Sequence, residues 1–175
     1  MPSPSDLRSL IRDIPDFPKP GVLFRDVTPL LGNGPAFRLC IRQLSERIAA
    51  QRPQMIAGIE SRGFIFGANV AVELGIGFVP IRKPGKLPWK TRQERYDLEY
   101  GTDAIEIHED AFAPGTRVAL VDDLLATGGT AGAAIKLLQH LDGKVVVASF
   151  VIELDFLEGR KRLGDVPVEV LVSYA

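Results

Sequence analysis

Cysteine is nearly missing from this chain of 175 residues: Cys40 is its one thiol, so no disulfide can close within it, and a reducing compartment is expected. Cys40 lies in an apolar helical pattern, where a buried and inert thiol is the expected state. Net charge is missing too. The 21 basic residues face 22 acidic ones, a balance of -1, so no global field recruits nucleic acid and any phosphate binding must be local. No apolar run reaches membrane-spanning length, and the opening MPSPSDLRSL has no basic region followed by an apolar segment; a cytoplasmic protein without a membrane partner is expected. Neither G-x-x-x-x-G-K-[ST] nor G-x-G-x-x-G occurs, so neither an NTPase nor a dinucleotide enzyme is indicated.

What is present describes an ordinary globular domain. Hydrophobic residues make up 46% and charged residues 25%, which excludes disordered and fibrous classes. The length suits one domain, long enough to bury roughly 70% of its unfolded surface. Leu7, Leu10, Ile11 and Ile14 repeat at helical spacing behind a capping Ser5, predicting a helix that ends at Pro15. Residues 15–35 are proline-rich and irregular yet carry Phe17, Val22, Leu23, Phe24 and Val27, so they must pack on the core edge or on a planar ligand. Pro35 then opens a helix with Phe37, Cys40, Ile41, Leu44 and Ile48 on one face.

Buried strands are predicted at 55–59, 78–81, 118–121, 145–152 and 168–172, with helices at 63–74 and after Thr130, and a short helical connection over 155–163. Repeated strand, loop and helix units imply a parallel sheet. Residues 82–100 are basic, proline-broken and weakly periodic, which predicts a mobile loop of the kind that covers active sites. Ile105 and Ile107 alternate with Glu106 and His108, predicting a half-exposed strand. His108 on a polar face and His140 near a helix end are poor acid/base candidates.

The densest chemistry runs from Arg117 to Thr130, RVALVDDLLATGGT. The apolar run Val118, Ala119, Leu120 and Val121 suits a strand covered on both faces, and Asp122 and Asp123 are placed at its carboxyl end, where open α/β sheets bind ligands. Ala126, Thr127, Gly128, Gly129 and Thr130 follow: glycines bring backbone N–H groups close to an anion and the threonines add hydroxyl donors at a helix start. The turn reads as a phosphate cradle.

Strand, two acids, two apolar residues, a small residue and T-G-G-T resemble the phosphoribosyl-diphosphate (PRPP) motif of type I phosphoribosyltransferases. PDFPKPGVLFRD at 15–26, ESRGFIFG at 60–67, and RKPGKLP with YDLEYG between 82 and 101 resemble the adenine phosphoribosyltransferases, so the resemblance reaches across nearly the whole chain. It implies an α/β fold, a Rossmann-like parallel-sheet core, with a small hood from about residues 1–35 and a flexible catalytic loop at about 82–100. It also implies a pentosyltransferase of purine salvage that makes AMP and pyrophosphate from adenine and PRPP with Mg2+, as a homodimer.

The resemblance distributes roles over matching positions. Asp122 and Asp123 would hold the ribose hydroxyls, and residues 126–130 the 5′-phosphate. Ser61, Arg62, Lys83 and Lys86 would meet the pyrophosphate, Arg62 above all; a salt bridge with Glu60 or a neighbour is the lesser reading of Arg62. The Glu60-Ser61 peptide is sometimes cis in the family. Arg82 would reach a partner subunit. Phe24 and Leu124 would sandwich adenine while the backbone of Leu23 and Arg25 reads its edge; ordinary core is the other reading of Phe24. Glu99 matches the acid/base and Tyr100 a loop-positioning residue. No direct metal ligand is assigned, Mg2+ being held by PRPP and, through water, by Asp122 or Asp123. Residues 89–95 match the family least. Two alternatives remain at this point: another purine as acceptor (hypoxanthine, guanine or xanthine), or a PRPP-sensing regulator, for which the chain lacks a basic DNA-binding segment.

Overall fold

The computed structural model describes residues 4–97 and 102–175. Its first elements depart from the helix expected up to Pro15: helix α1 covers only Pro4–Ser9, and Arg12–Pro15 is a strand, β1. β1 pairs antiparallel with Leu23–Asp26, strand β2, inside the segment expected to be irregular. Opposite charges face each other across this ladder. Arg12 Nη2 lies 2.7 Å from Asp26 Oδ2, and Arg25 bonds Asp13. Cross-strand ion pairs of this kind stabilise a hairpin and override the helical spacing of Leu10, Ile11 and Ile14. A second short helix, α2 (Thr28–Gly32), also falls in the expected irregular stretch.

Helix α3 (Gly34–Ala49) begins as expected, with Pro35 in its first turn; Asn33 Oδ1 caps it by accepting from Ala36 N at 3.1 Å. Its inner face buries Cys40, Ile41, Leu44 and Ile48, and burial pushes the Cys40 thiol up to about 12. Strand β3 (Met55–Ile59), helix α4 (Arg62–Leu74) and strand β4 (Gly77–Ile81) follow the sequence expectation closely. β5 (Thr91–Asp97) and β6 (Thr102–His108) form an antiparallel pair. Then come β7 (Arg117–Leu125), α5 (Gly129–His140), β8 (Lys144–Leu154), two 3₁₀ turns (Asp155–Leu157 and Gly159–Arg162) and β9 (Val168–Tyr174).

Five strands make one parallel sheet in the order β4-β3-β7-β8-β9. Alternation along β7 splits its side chains between two cores: Ala119 and Val121 pack with α3 and α4, while Val118 and Leu120 pack with α5. Both sheet faces are therefore covered. Among the described residues, no helix is long and apolar enough to cross a membrane.

Three expectations are corrected here. β7 does not stop at Val121 but runs through both acids to Leu125, because β8 continues to pair with it as far as Leu125 opposite Glu153. Residues 91–97, expected in a loop, are a strand; β6 sends Ile105 and Ile107 into the core, but β5 has polar residues on both of its faces apart from Tyr96, leaving no apolar stripe to mark it. Glu106 is not on an exposed face: it is 6% exposed and accepts from Leu87 N and Thr91 Oγ1, each at 3.2 Å, so its carboxylate ties the start of the 82–97 segment to β6.

Phe66 is fully buried on α4, edge-on to Phe37 of α3 at 6.0 Å, and joins the helical layer to the sheet. Phe66→Ala should destabilise the protein by about 3–5 kcal/mol, read as a lower urea midpoint at unchanged m-value.

Candidate active site

From β3 the chain crosses to β4 on one side, and from β7 to β8 on the other, so the sheet reverses its winding between β3 and β7. Such a reversal leaves a crevice at the carboxyl ends of the two strands. A cavity of about 380 Å³ opens there, lined by Ile59 to Arg62 after β3, Lys83 after β4, Tyr96 and Ile105 of the β5–β6 pair, and residues 122–131.

The acids form its floor. Asp123 is 5% exposed and binds Arg62 through Arg62 Nε, while Asp123 N donates to Asp122 Oδ1 at 2.9 Å. α4 starts hard against this point: a Cβ on Gly63 would lie 2.7 Å from Asp122 Oδ1 and 3.0 Å from Val121 O, so only glycine lets the helix sit so near the strand. Burial pushes the Asp122 carboxyl well above its usual range, and the adjacent Asp123 charge adds to the rise. Burial pulls Arg62 down, but Asp123 first and then Asp122 and Asp26 outweigh it and hold the guanidinium charged. Arg62 thus pairs with Asp123 rather than Glu60.

Residues 126–130 turn from β7 into α5. Gly128 has φ 78, a left-handed conformation that glycine adopts without strain, and its carbonyl accepts the first helical bond from Gly132 N at 2.8 Å. The unpaired N–H groups of the helix start therefore lie along the cavity, beside Thr127 and Thr130, in an arrangement suited to an anion.

On the opposite wall the Glu60-Ser61 peptide is cis, and Glu60 Oε2 accepts from Lys83 N at 2.7 Å and Arg82 Nε at 3.1 Å. Arg82 also donates to Lys86 O at 3.2 Å, so its guanidinium is engaged within its own chain. Lys83 Nζ binds Asp103 and lies 3.2 Å from Tyr96 Oη. Lys86 is exposed and does not line the cavity.

The residues expected around adenine are only partly gathered. Leu124 lines the cavity; Leu23, Phe24 and Arg25, on β2, do not. Phe24 is no ordinary core residue: it meets Phe17 edge-on at 5.2 Å, and the Arg62 guanidinium carbon stands 5.5 Å from its ring centre. Arg25 stacks over Tyr174 at 3.8 Å and Arg8 over the same ring at 4.4 Å, which pins the β1–β2 hairpin to the end of β9. Glu99 and Tyr100 lie outside the described residues. Sequence reasoning missed Tyr96, Asp103 and Glu60. Tyr96 stands opposite Asp103 on paired strands, a neighbourhood that only the register reveals.

An acid whose folded pKa lies above its unfolded value stabilises the fold at pH below the unfolded value, and that contribution is lost as pH rises through the folded one. Asp122→Asn, which keeps an oxygen to accept from Asp123 N, should therefore raise the melting temperature near pH 8. The gain over wild type should shrink to nothing near pH 4; a melting curve that shifts equally at both pH values would contradict the buried charge.

Comparison with known proteins agrees with this geometry. A family model described as Phosphoribosyl transferase domain matches residues 27–171. The adenine phosphoribosyltransferase of Chloroflexus aurantiacus is 57% identical over 97% of this chain and 98% of its own length. The crystal structure of the Thermoanaerobacter pseudethanolicus adenine phosphoribosyltransferase superposes with a TM-score of 0.96 at 48% identity, covering 98% of this chain and 100% of that one. The Saccharomyces cerevisiae enzyme, solved with adenine and an imino-altritol bisphosphate, gives 0.91 at 41% identity over 96% and 97% of the two chains. With the parallel core, the paired acids and the glycine-rich helix entrance all in place, this chain belongs to the phosphoribosyltransferase family, among the adenine phosphoribosyltransferases.

Proposed function

We propose that the cavity between β3 and β7 is where adenine and PRPP become AMP and pyrophosphate, with the work divided among its walls. The observation that carries this reading is the placement of Asp122 and Asp123 beside the 126–130 helix entrance in one cavity of about 380 Å³. Residues 126–130 hold the 5′-phosphate through backbone N–H groups, the Thr127 and Thr130 hydroxyls and the α5 dipole. Asp122 and Asp123 accept from the ribose hydroxyls and set negative charge below the sugar, which becomes cationic as the bond to pyrophosphate breaks. PRPP then exchanges the Arg62–Asp123 ion pair, Asp123 turning to a hydroxyl and Arg62, with Ser61, Lys83 and Lys86, toward the departing pyrophosphate.

A ring nitrogen of adenine bonds to the anomeric carbon as that carbon releases the pyrophosphate oxygen, which keeps the bonding electron pair. The proton that adenine sheds goes to Glu99, and Tyr100 positions the loop. Phe24 and Leu124 flank the ring while Leu23 and Arg25 backbone groups bond its edge; the closeness of β2 to Arg62 supports this slot. Among the described residues no group of three or more His, Cys, Asp or Glu is placed to hold a metal; three carboxylates line the cavity, and Glu60 already accepts from Lys83 N and Arg82 Nε, which leaves Asp122 and Asp123. That donor set suits a Mg2+ carried by PRPP oxygens and touching Asp122 or Asp123 through water, where it would neutralise leaving-group charge.

The chain acts as a single domain, with residues 1–35 as a hood and 82–100 as a lid, as Lys83 and Tyr96 on the cavity wall support. A homodimer is supported by Ile65 and Val72, seven residues apart on one face of α4 and both exposed; Arg82 would then turn from Glu60 to the partner.

Pyrophosphate release should be measured with PRPP and Mg2+ against adenine, hypoxanthine, guanine and xanthine. Turnover confined to adenine is the expected result, and preference for another base would reassign the β2 slot. Glu99→Gln should lower kcat by about 10²–10⁴-fold, and a rate left intact would remove Glu99 from proton transfer. Asp123→Asn should lower kcat/KM for PRPP by at least about tenfold with adenine binding preserved.

A further inference from the structure

We infer that Glu153 and Arg160 form a positioning pair for the 5′-phosphate loop, acting through Gly159; this rests on residues 126–130 holding that phosphate. Glu153 is the penultimate residue of β8 and stands opposite Leu125 in the ladder, one residue before the loop. It is 3% exposed, and both of its oxygens are bound by one guanidinium: Arg160 Nε lies 2.6 Å from Oε1 and Nη2 2.7 Å from Oε2. A buried carboxylate needs such a fork, and the fork in turn fixes the backbone of the residue that carries it. The hydrogen bond to Glu153 raises the Arg160 pKa.

Arg160 carries Gly159 against the back of the loop. A Cβ on Gly128 would collide with the Gly159 carbonyl oxygen and lie 3.0 Å from its carbonyl carbon. A Cβ on Gly159 would collide with Ala126 O and lie 3.1 Å from Gly128 N. Backbone thus rests on backbone, with Leu125 Cδ1 of β7 also 3.0 Å from the Gly159 Cβ position. One turn further on, a Cβ on Gly132 of α5 would meet Arg162 O at 2.8 Å, so the 3₁₀ segment backs the helix start as well. Glu158, at φ 52, turns the chain sharply between the two 3₁₀ turns and directs Gly159 inward.

A glycine-rich loop has wide conformational freedom of its own, whereas anion recognition by N–H groups requires those groups to be fixed before the ligand arrives. The bonds Lys161 N to Glu158 O and Leu163 N to Arg160 O hold the segment's own shape but do not join it to the sheet. The Glu153–Arg160 fork makes that junction, next to the strand from which the loop departs. Loss of the fork is therefore felt as a loop that no longer converges on phosphate, while the acids and the adenine slot are untouched.

The test compares AMP with adenosine, which share base and ribose and differ in the 5′-phosphate. Arg160→Lys keeps the charge and loses the fork. The double variant Glu153→Leu with Arg160→Met removes both charges and leaves no buried carboxylate alone, which protects the fold. In both proteins AMP affinity should fall about tenfold, with adenosine affinity held within about twofold, and KM for PRPP should rise with that for adenine unchanged. A general loss of structure would weaken AMP and adenosine together, and that equal loss, or AMP affinity retained in both variants, would overturn the proposal. Thr127→Val and Thr130→Val serve as the reference. If these lower AMP selectively and the pair variants do not, the positioning role alone fails; if they leave the AMP-to-adenosine ratio at its wild-type value, the phosphate-loop reading fails and takes the positioning role with it.

Discussion

Two carboxylates on consecutive residues of a buried strand repel each other and lose hydration together, and the site is organised around that cost. Arg62 answers one of them from the first turn of α4, and Gly63 allows that turn to come close enough to do so. The requirement reaches back into the fold, since α4 can stand there only because β3 lies beside β7 and the crossover to β4 leaves on that face. Asp122 keeps a raised pKa even so. Its charge is not fully compensated by the protein, which suits the proposed role beside a cationic sugar.

Rigidity is concentrated where phosphate chemistry requires it. The loop behind Asp122 and Asp123 is backed by Gly159 and continues into α5, whose inner face is buried against the sheet. The parts proposed to select substrate are built differently. The β1–β2 hairpin is held by ion pairs and by the Tyr174 ring between two arginines, and the β5–β6 pair by Glu106 and by the Lys83, Tyr96 and Asp103 cluster. Polar attachments with partial exposure are individually weak, so the β1–β2 hairpin and β5 sit at the low-stability end of the molecule, while the sheet beneath them and β6, with Ile105 and Ile107 in the core, do not.

That division explains what the chain reveals before it folds. Continuous apolar runs at 55–59 and 145–152 and the face of Cys40, Leu44 and Ile48 identify core strands and α3 directly, because burial on both faces or on one stripe leaves a periodic mark. The acids and the T-G-G-T turn are legible for the same reason: they follow such a run at once. Hairpins stabilised by cross-strand charges leave no comparable mark. Arg12 opposite Asp26, and Tyr96 opposite Asp103, become neighbours only when the register is known, so β1 reads as helix and β5 as loop. Gly159 is silent for another reason, since a glycine required for backbone contact looks in sequence like any glycine in a turn.

The Arg62–Asp123 pair joins these two regimes. Asp123 belongs to the rigid floor, whereas Arg62 extends toward Phe24 of the hood and has a side chain 41% exposed. In this state one guanidinium neutralises an acid that the ribose claims in the proposed complex, and its other side lies where the hood approaches. In the proposed reaction, substrate entry would then release a cation at the moment an anionic ligand needs one, and uncover an acid where hydroxyls need an acceptor. The cost of separating the pair is offset inside the same cavity by two new charge-assisted contacts. An arginine held by Asp123 also keeps that carboxylate from standing as an unpaired buried charge, so the proposed binding and the stability of the fold draw on the same ion pair.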